Sequence, residues 1–272
     1  MYLLERGSGH PVLFLHGIPT SGALWNGVID RLSGKFQCLA VDLPGLGKSP
    51  RTPQGLRNLS ELAAGLEEMR VAQGIEKWHV VGHDAGCAIA VHYAHRFPDR
   101  VGRLALLTPS MFPDLKPFFL FEMLRMPLIG ECLAPGINLL VWNVVMRLAL
   151  AGIGERKEMV RSFQAPFRGP LGSWRMMSLL RWGQPAEVLA SIPALLPGIA
   201  APTLVFHGSQ DPAVPHSFAR RACDLMPHSE LITLNCGHFL PILEPAAVSE
   251  ALLRFFTCEE GSLRRVVAAA AA

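Results

Sequence analysis

The residues best equipped for chemistry fall in three short motifs: Gly82-His83-Asp84-Ala85-Gly86, Gly208-Ser209-Gln210-Asp211-Pro212 and Asn235-Cys236-Gly237-His238-Phe239. The first lies between an apolar run at 78–81 and a helical apolar pattern over 87–97. A sharp strand-to-helix turn there forces its central residue into a strained conformation, and flanking glycines relieve the crowding. Asp84 is thereby lifted above the sheet edge. The Ala85 N–H, at the start of the helix, faces the same space and favours negative charge in it. An unperturbed aspartate, with a pKa of about 3.9, is ionised at neutral pH and needs no base before attacking a saturated carbon that bears a leaving group. The product is an alkyl ester. Its hydrolysis at the Asp84 carboxyl carbon requires a base for water and donors for the new oxyanion.

His238 follows the last apolar run and can be that base, and Asp211 follows the run at 203–206 and can hold the imidazole in its working tautomer. The chain order is nucleophile, acid, histidine. His16-Gly17-Ile18-Pro19 follows the run at 12–15, which makes the Ile18 N–H the second oxyanion donor beside that of Ala85. Each motif has a plainer reading alone: an ordinary turn, a structural histidine, an aspartate that stabilises its own loop. Together, in this order and each after a buried strand, they read as one catalytic set.

The elements that must position these residues are short apolar runs alternating with helical patterns, the signature of a mostly parallel sheet flanked by helices, an α/β architecture. Strands are expected at 12–15, 36–41, 78–81, 104–107, 203–206 and 231–234. Asn58 and Glu61 form a capping box for a helix that stops at Gly74, and a last amphipathic helix covers 246–256. Between 110 and 200 the pattern is helical and punctuated by prolines. The chain therefore divides into a core of residues 1–110 and 200–260, a helical cap (lid) at 111–199 and a tail at 261–272. Trp142, Trp174 and Trp182 in the cap carry indole N–H donors that could assist a leaving group or line a substrate pocket; packing inside the cap is their plainer use. The cap's surplus apolar residues fit a small to medium apolar substrate, and could also form a homodimer contact or touch lipid.

Composition narrows the function classes. Of 272 residues, 50% are apolar and 17% charged, with a net charge of +3 and no dense Lys/Arg stripe, which argues against a nucleic-acid partner. The six cysteines lack metal-ligand spacing, and Gly45-Leu46-Gly47-Lys48-Ser49 lacks the spacing of a phosphate loop, so no metal or other cofactor is expected. Glu122, Arg125, Glu131, Pro135, Asn138 and Arg147 interrupt the apolar stretch 117–150, which argues against stable membrane insertion. With reduced thiols and no secretion signal at the N-terminus, the expected location is cytoplasmic.

The motifs together resemble the α/β-hydrolase superfamily, specifically its epoxide hydrolase and haloalkane dehalogenase branch, which carries Gly-His-Asp-x-Gly at the turn. The resemblance rests on His16 to Ser21, Asp42 to Ser49, Gly82 to Gly86, Gly208 to Asp211 and Gly237-His238, and it leaves out the cap. It implies the α/β-hydrolase fold, a catalytic triad of Asp84, His238 and Asp211, an oxyanion hole at Ile18 and Ala85, and no cofactor. The chain departs from both groups. Haloalkane dehalogenases usually place Trp after the nucleophile, and many place Asn where Ile18 stands; epoxide hydrolases protonate the ring oxygen with lid tyrosines, whereas the tyrosines here are Tyr2 and Tyr93. Epoxide hydrolysis is the leading expectation, with dehalogenation close behind. Ester or lactone hydrolysis and a non-catalytic ligand sensor of the same fold are the alternatives.

Overall fold

The computed structural model describes residues 1–258 except 54, 117–118, 151–153, 155 and 182–184. Trp182 and the expected tail at 261–272 lie outside the described residues. Among the described residues, seven strands form one sheet: β1 (Tyr2–Arg6), β2 (His10–Leu15), β3 (Phe36–Asp42), β4 (Trp78–His83), β5 (Val101–Leu107), β6 (Thr203–Gly208) and β7 (Ser229–Leu234). Their spatial order is β1-β3-β2-β4-β5-β6-β7. Every neighbouring pair is parallel except β1 with β3, which runs antiparallel from Tyr2↔Asp42 to Arg6↔Cys38.

The central strands read as unbroken apolar runs because helices cover both faces of the sheet. Val12, Leu13, Phe14 and Leu15 are all fully buried, so both sides of β2 are core. Helices α1 (Asn26–Leu32), α2 (Leu59–Ala72) and α3 (Ala85–Arg96) follow β2, β3 and β4 in turn. The Asn58 side chain accepts from the Glu61 N–H at 3.1 Å, so the cap of α2 forms as its sequence implies.

Between β5 and β6 the described elements are helical: α4 (Phe119–Arg125), α5 (Ile129–Leu140), α6 (Met146–Ala149), α7 (Arg156–Gln164), α8 (Gly172–Leu180), α9 (Pro185–Val188) and α10 (Ile192–Leu195). Here the structure corrects one expectation. Pro135 stands inside α5 without ending it, and a π-helical turn, Val141–Val145, joins α5 to α6. Ile129–Ala149 is thus one continuous apolar helix, long and apolar enough to cross a membrane by length and composition, with a mean hydropathy of 1.4. The proline removes one helical hydrogen bond, and apolar neighbours on both sides carry the helix past it. Its inner side, including Ala134, Ile137, Val141 and Met146, is buried where α5 packs on α4 and α8. The core closes with α11 (His216–Leu225), α12 (Leu240–Leu243) and α13 (Pro245–Thr257).

Candidate active site

Parallel strands deliver their following loops to one edge of the sheet. The loops after β2, β4, β6 and β7 carry Ile18, Asp84, Asp211 and His238. Asp84 adopts φ 52° and ψ −122°, a conformation that L-residues rarely hold. Close backbone approach explains the flanking glycines. A Cβ on Gly82 would lie 2.8 Å from the Gly86 carbonyl oxygen, and one on Gly86 would lie 2.5 Å from that of Leu15. The Asp84 N–H donates to the Leu107 carbonyl at 3.0 Å, and the Asp84 carbonyl accepts the Cys87 N–H at 3.0 Å, which pins the turn to β5 and to the first turn of α3.

The carboxylate oxygens of Asp84 have different surroundings. Oδ1 accepts the Ile18 N–H at 3.0 Å. Oδ2 faces His238, whose Nε2 lies 3.8 Å away. The Asp84 and His238 side chains remain 14% and 11% exposed, so water reaches both. Burial raises the Asp84 pKa above its ordinary value; the charge of His238, the N–H groups of Ala85 and Ile18 and the Ser110 hydroxyl offset part of that rise. The unperturbed value assumed from sequence is therefore corrected upward, because the sheet edge shields the carboxylate from water.

His238 Nδ1–H donates to Asp211 Oδ2 at 2.8 Å, which leaves Nε2 directed at Asp84. Burial by itself would lower the His238 pKa, but the hydrogen bond and charge of Asp211, with the charge of Asp84, bring it above its ordinary value. Asp211 also stabilises its own loop: its Oδ1 accepts the N–H groups of Ala213 at 2.7 Å and Val214 at 3.1 Å. Against the cost of burial, the His238 bond and these two donors hold its pKa below the usual carboxylate value. The loops of acid and histidine are tied directly, with the Gln210 N–H on the Cys236 carbonyl at 3.0 Å and Gln210 Nε2 on Asn235 Oδ1 at 2.9 Å.

Two contributors carry no role in the sequence reading. Ser110, in the loop after β5, reaches the Asp84 carboxylate across the sheet edge; no motif marks it, because the contact joins different loops. His83, one residue before the nucleophile, donates from Nε2 to the His238 carbonyl at 3.0 Å and packs edge-on against the His238 ring at 5.0 Å. Burial lowers its pKa to about 3, so it is a fixed neutral donor. Asp42 is structural, as its place at a strand end suggests: it accepts the N–H groups of Gly22 and Lys48, each at 2.7 Å.

The structure does not bring Trp142 or Trp174 into this set. Trp142 is buried in the helical segment, donates to Asn138 Oδ1 at 2.9 Å and stacks on Phe167. Trp174 is exposed on α8 with the Arg51 guanidinium over its ring. Among the described residues, no group of His, Cys, Asp and Glu side chains is placed to hold a metal ion.

Comparison with known proteins agrees with this architecture. Residues 10–131 match the family model of the alpha/beta hydrolase fold. Over 268 residues the chain is 29% identical to the cis-3-alkyl-4-alkyloxetan-2-one decarboxylase of Shewanella oneidensis, covering 91% of this chain and 81% of that one. A haloalkane dehalogenase of Mesorhizobium japonicum is 30% identical, with 92% and 85% covered. The crystal structure of a putative ancestral haloalkane dehalogenase superposes with a TM-score of 0.76 at 26% identity, covering 98% of this chain and 96% of that one. With sequence likeness and fold coinciding over nearly its whole length, the chain belongs to the α/β-hydrolase family, as an α/β-fold hydrolase.

Proposed function

We propose that Asp84 opens a carbon–oxygen bond of a strained, apolar oxygen ring, in the first instance an epoxide, by forming an alkyl ester that water activated by His238 then hydrolyses. The observation that carries this reading is the Ile18 N–H on Oδ1 of Asp84 itself. In an enzyme with a serine at this turn, the oxyanion donors receive the substrate's carbonyl oxygen. Here a donor already holds the nucleophile's own carboxylate, so the tetrahedral carbon it stabilises is Cγ of Asp84. That suits hydrolysis of an Asp84 ester. His238 takes the proton of the attacking water, and Asp211 stabilises the imidazolium. Residues 111–199 serve as the cap over a core formed by 1–110 and 200–260.

A second reading, an oxetan-2-one, is favoured by where the proton donors are. Tyr93 is buried and donates to Glu67 at 2.7 Å, Tyr2 lies on β1, and the Trp142 indole N–H is taken by Asn138. Attack of Asp84 at the ring carbon bonded to oxygen breaks that carbon–oxygen bond and releases a carboxylate. That leaving group departs without a proton. The Shewanella relative is named for such a ring. Dehalogenation ranks below both, because Ile18 and Ala85 offer a halide no side-chain donor.

The test is intact mass of a His238→Gln variant incubated with an epoxide, a haloalkane and a β-lactone, alongside Asp84→Asn. An adduct on Asp84 equal to the whole substrate mass is expected with the epoxide or the lactone, and an alkyl adduct lacking halogen would mark a dehalogenase. Turnover of aryl esters that survives Asp84→Asn would overturn the proposal. So would the absence of any adduct and any turnover, which would leave a ligand sensor.

A further inference from the structure

The outer side of the continuous helix Ile129–Ala149 exposes large apolar residues between the polar Glu131, Asn143 and Arg147. Leu139 and Leu148 are 62% and 70% exposed, Ile129, Leu140 and Val144 are exposed with them, and Leu128 just ahead of the helix is 80% exposed. Leu140, Val144 and Leu148 stand four positions apart and so form one stripe, with Leu139 beside it, while Leu128 and Ile129 lie about three turns earlier at the start of the helix. A helix with a mean hydropathy of 1.4 usually lies in a core or against lipid, yet half of this one meets solvent. Glu131, the one acidic residue in the stretch, is engaged by Arg181.

At the far end of the stripe the character changes. A cavity of about 440 Å³ is lined by Arg147, Lys157, Arg161 and Arg168, with Trp142 and Asn143 in its wall and, among the described residues, no acidic side chain. It shares no lining residue with the Asp84, His238 and Asp211 set. Leucines in a row with basic side chains at one end match the boundary of an anionic bilayer, where acyl chains take the apolar side chains and phosphate headgroups take the cations.

We propose that this face of the helical segment seats on a membrane surface containing anionic phospholipid. A second copy of the chain fits the face less well. A two-fold contact sets the same patch against itself, and its one acidic helix residue, Glu131, is already engaged by Arg181, so a second copy would bury the leucines without meeting these four cations with a carboxylate. A free phosphate would satisfy the cavity and leave the leucines in water.

The experiment is co-sedimentation of the full chain with vesicles of phosphatidylcholine alone and of phosphatidylcholine with phosphatidylglycerol, at low and high salt. Partition onto the anionic vesicles only is expected. The K157Q/R161Q/R168Q variant should bind about a hundredfold more weakly, at about fivefold per charge. L128N/L139N/L148N should also weaken partition onto the anionic vesicles, although it keeps every basic side chain. Equal partition of the unaltered chain onto both vesicles, or onto neither, overturns the proposal, whether or not the variants fold. A dimer in sedimentation equilibrium that L128N/L139N/L148N dissociates, without vesicle binding, assigns the face to a second copy instead.

Discussion

His238 Nε2 lies 3.8 Å from Asp84 Oδ2, beyond a hydrogen bond and within reach of a strong charge interaction. The gap is the space in which a carbon could bond to Oδ2 and a water could later approach Cγ. The pair also has a titration signature. His238 should titrate above 6.5 in the resting protein, and Asp84→Asn and Asp211→Asn should each bring the midpoint down, as followed by NMR of the imidazole. Asp211→Asn should also cut kcat about a thousandfold or more, by favouring the wrong tautomer.

Asp84→Asn should abolish turnover and stabilise the fold. The folded-state pKa of Asp84 lies above its ordinary 3.8, mainly through burial, so the ionised side chain disfavours folding once the pH exceeds both values. Asparagine removes that charge and tolerates the left-handed backbone. At pH 7 the melting temperature read by calorimetry should therefore rise above that of the unaltered chain. The gain should shrink as the pH falls towards 3.8.

Gly86→Ala tests the packing of the turn. The new methyl would meet the carbonyl oxygens of Leu15 at 2.5 Å and His16 at 2.8 Å, and backbone cannot swing aside as a long side chain can. A loss of about 3 kcal/mol is expected, read as a lowered urea midpoint with unchanged slope. Activity should fall with it, because His16 and Gly17 lead directly to the Ile18 donor.

Acid should weaken the fold well before the carboxylates protonate. Burial lowers the pKa of His16 to about 4 and of His79 and His83 to about 3. Unfolded, each takes a proton near 6.5, so the unfolded chain binds more protons between 6.5 and about 3 and stability declines as the pH falls through that window. Melting temperatures measured across it should fall steadily. His79→Phe, which can keep the stack on Phe256, should flatten the slope by one proton.

The strands at the centre of the sheet were legible because both their faces are buried, so their sequences are plain apolar runs. β1 was not. It is a half-exposed edge strand, and Tyr-Leu-Leu-Glu-Arg carries no such run. The loops bearing Ile18, Asp84, Asp211 and His238 could be placed at one sheet edge from chain order, since each follows a parallel strand. Ser110 and the raised pKa of Asp84 could not, because both arise from what lies across the edge rather than along the chain. The run from Ile129 to Ala149 misled for a related reason: its proline and polar residues suggested breaks, while packing on α4 and α8 holds it as one helix.

The unequal surroundings of the two Asp84 oxygens have an isotopic consequence. If the proposed ester forms, Oδ2 bonds to substrate while Ile18 keeps Oδ1, and water attacking Cγ releases the product with Oδ2 inside it. In heavy-oxygen water, the first product molecule should therefore carry light oxygen at the newly formed hydroxyl. The label should reside in the protein, on one peptide containing position 84, and reach product only from the second cycle onward.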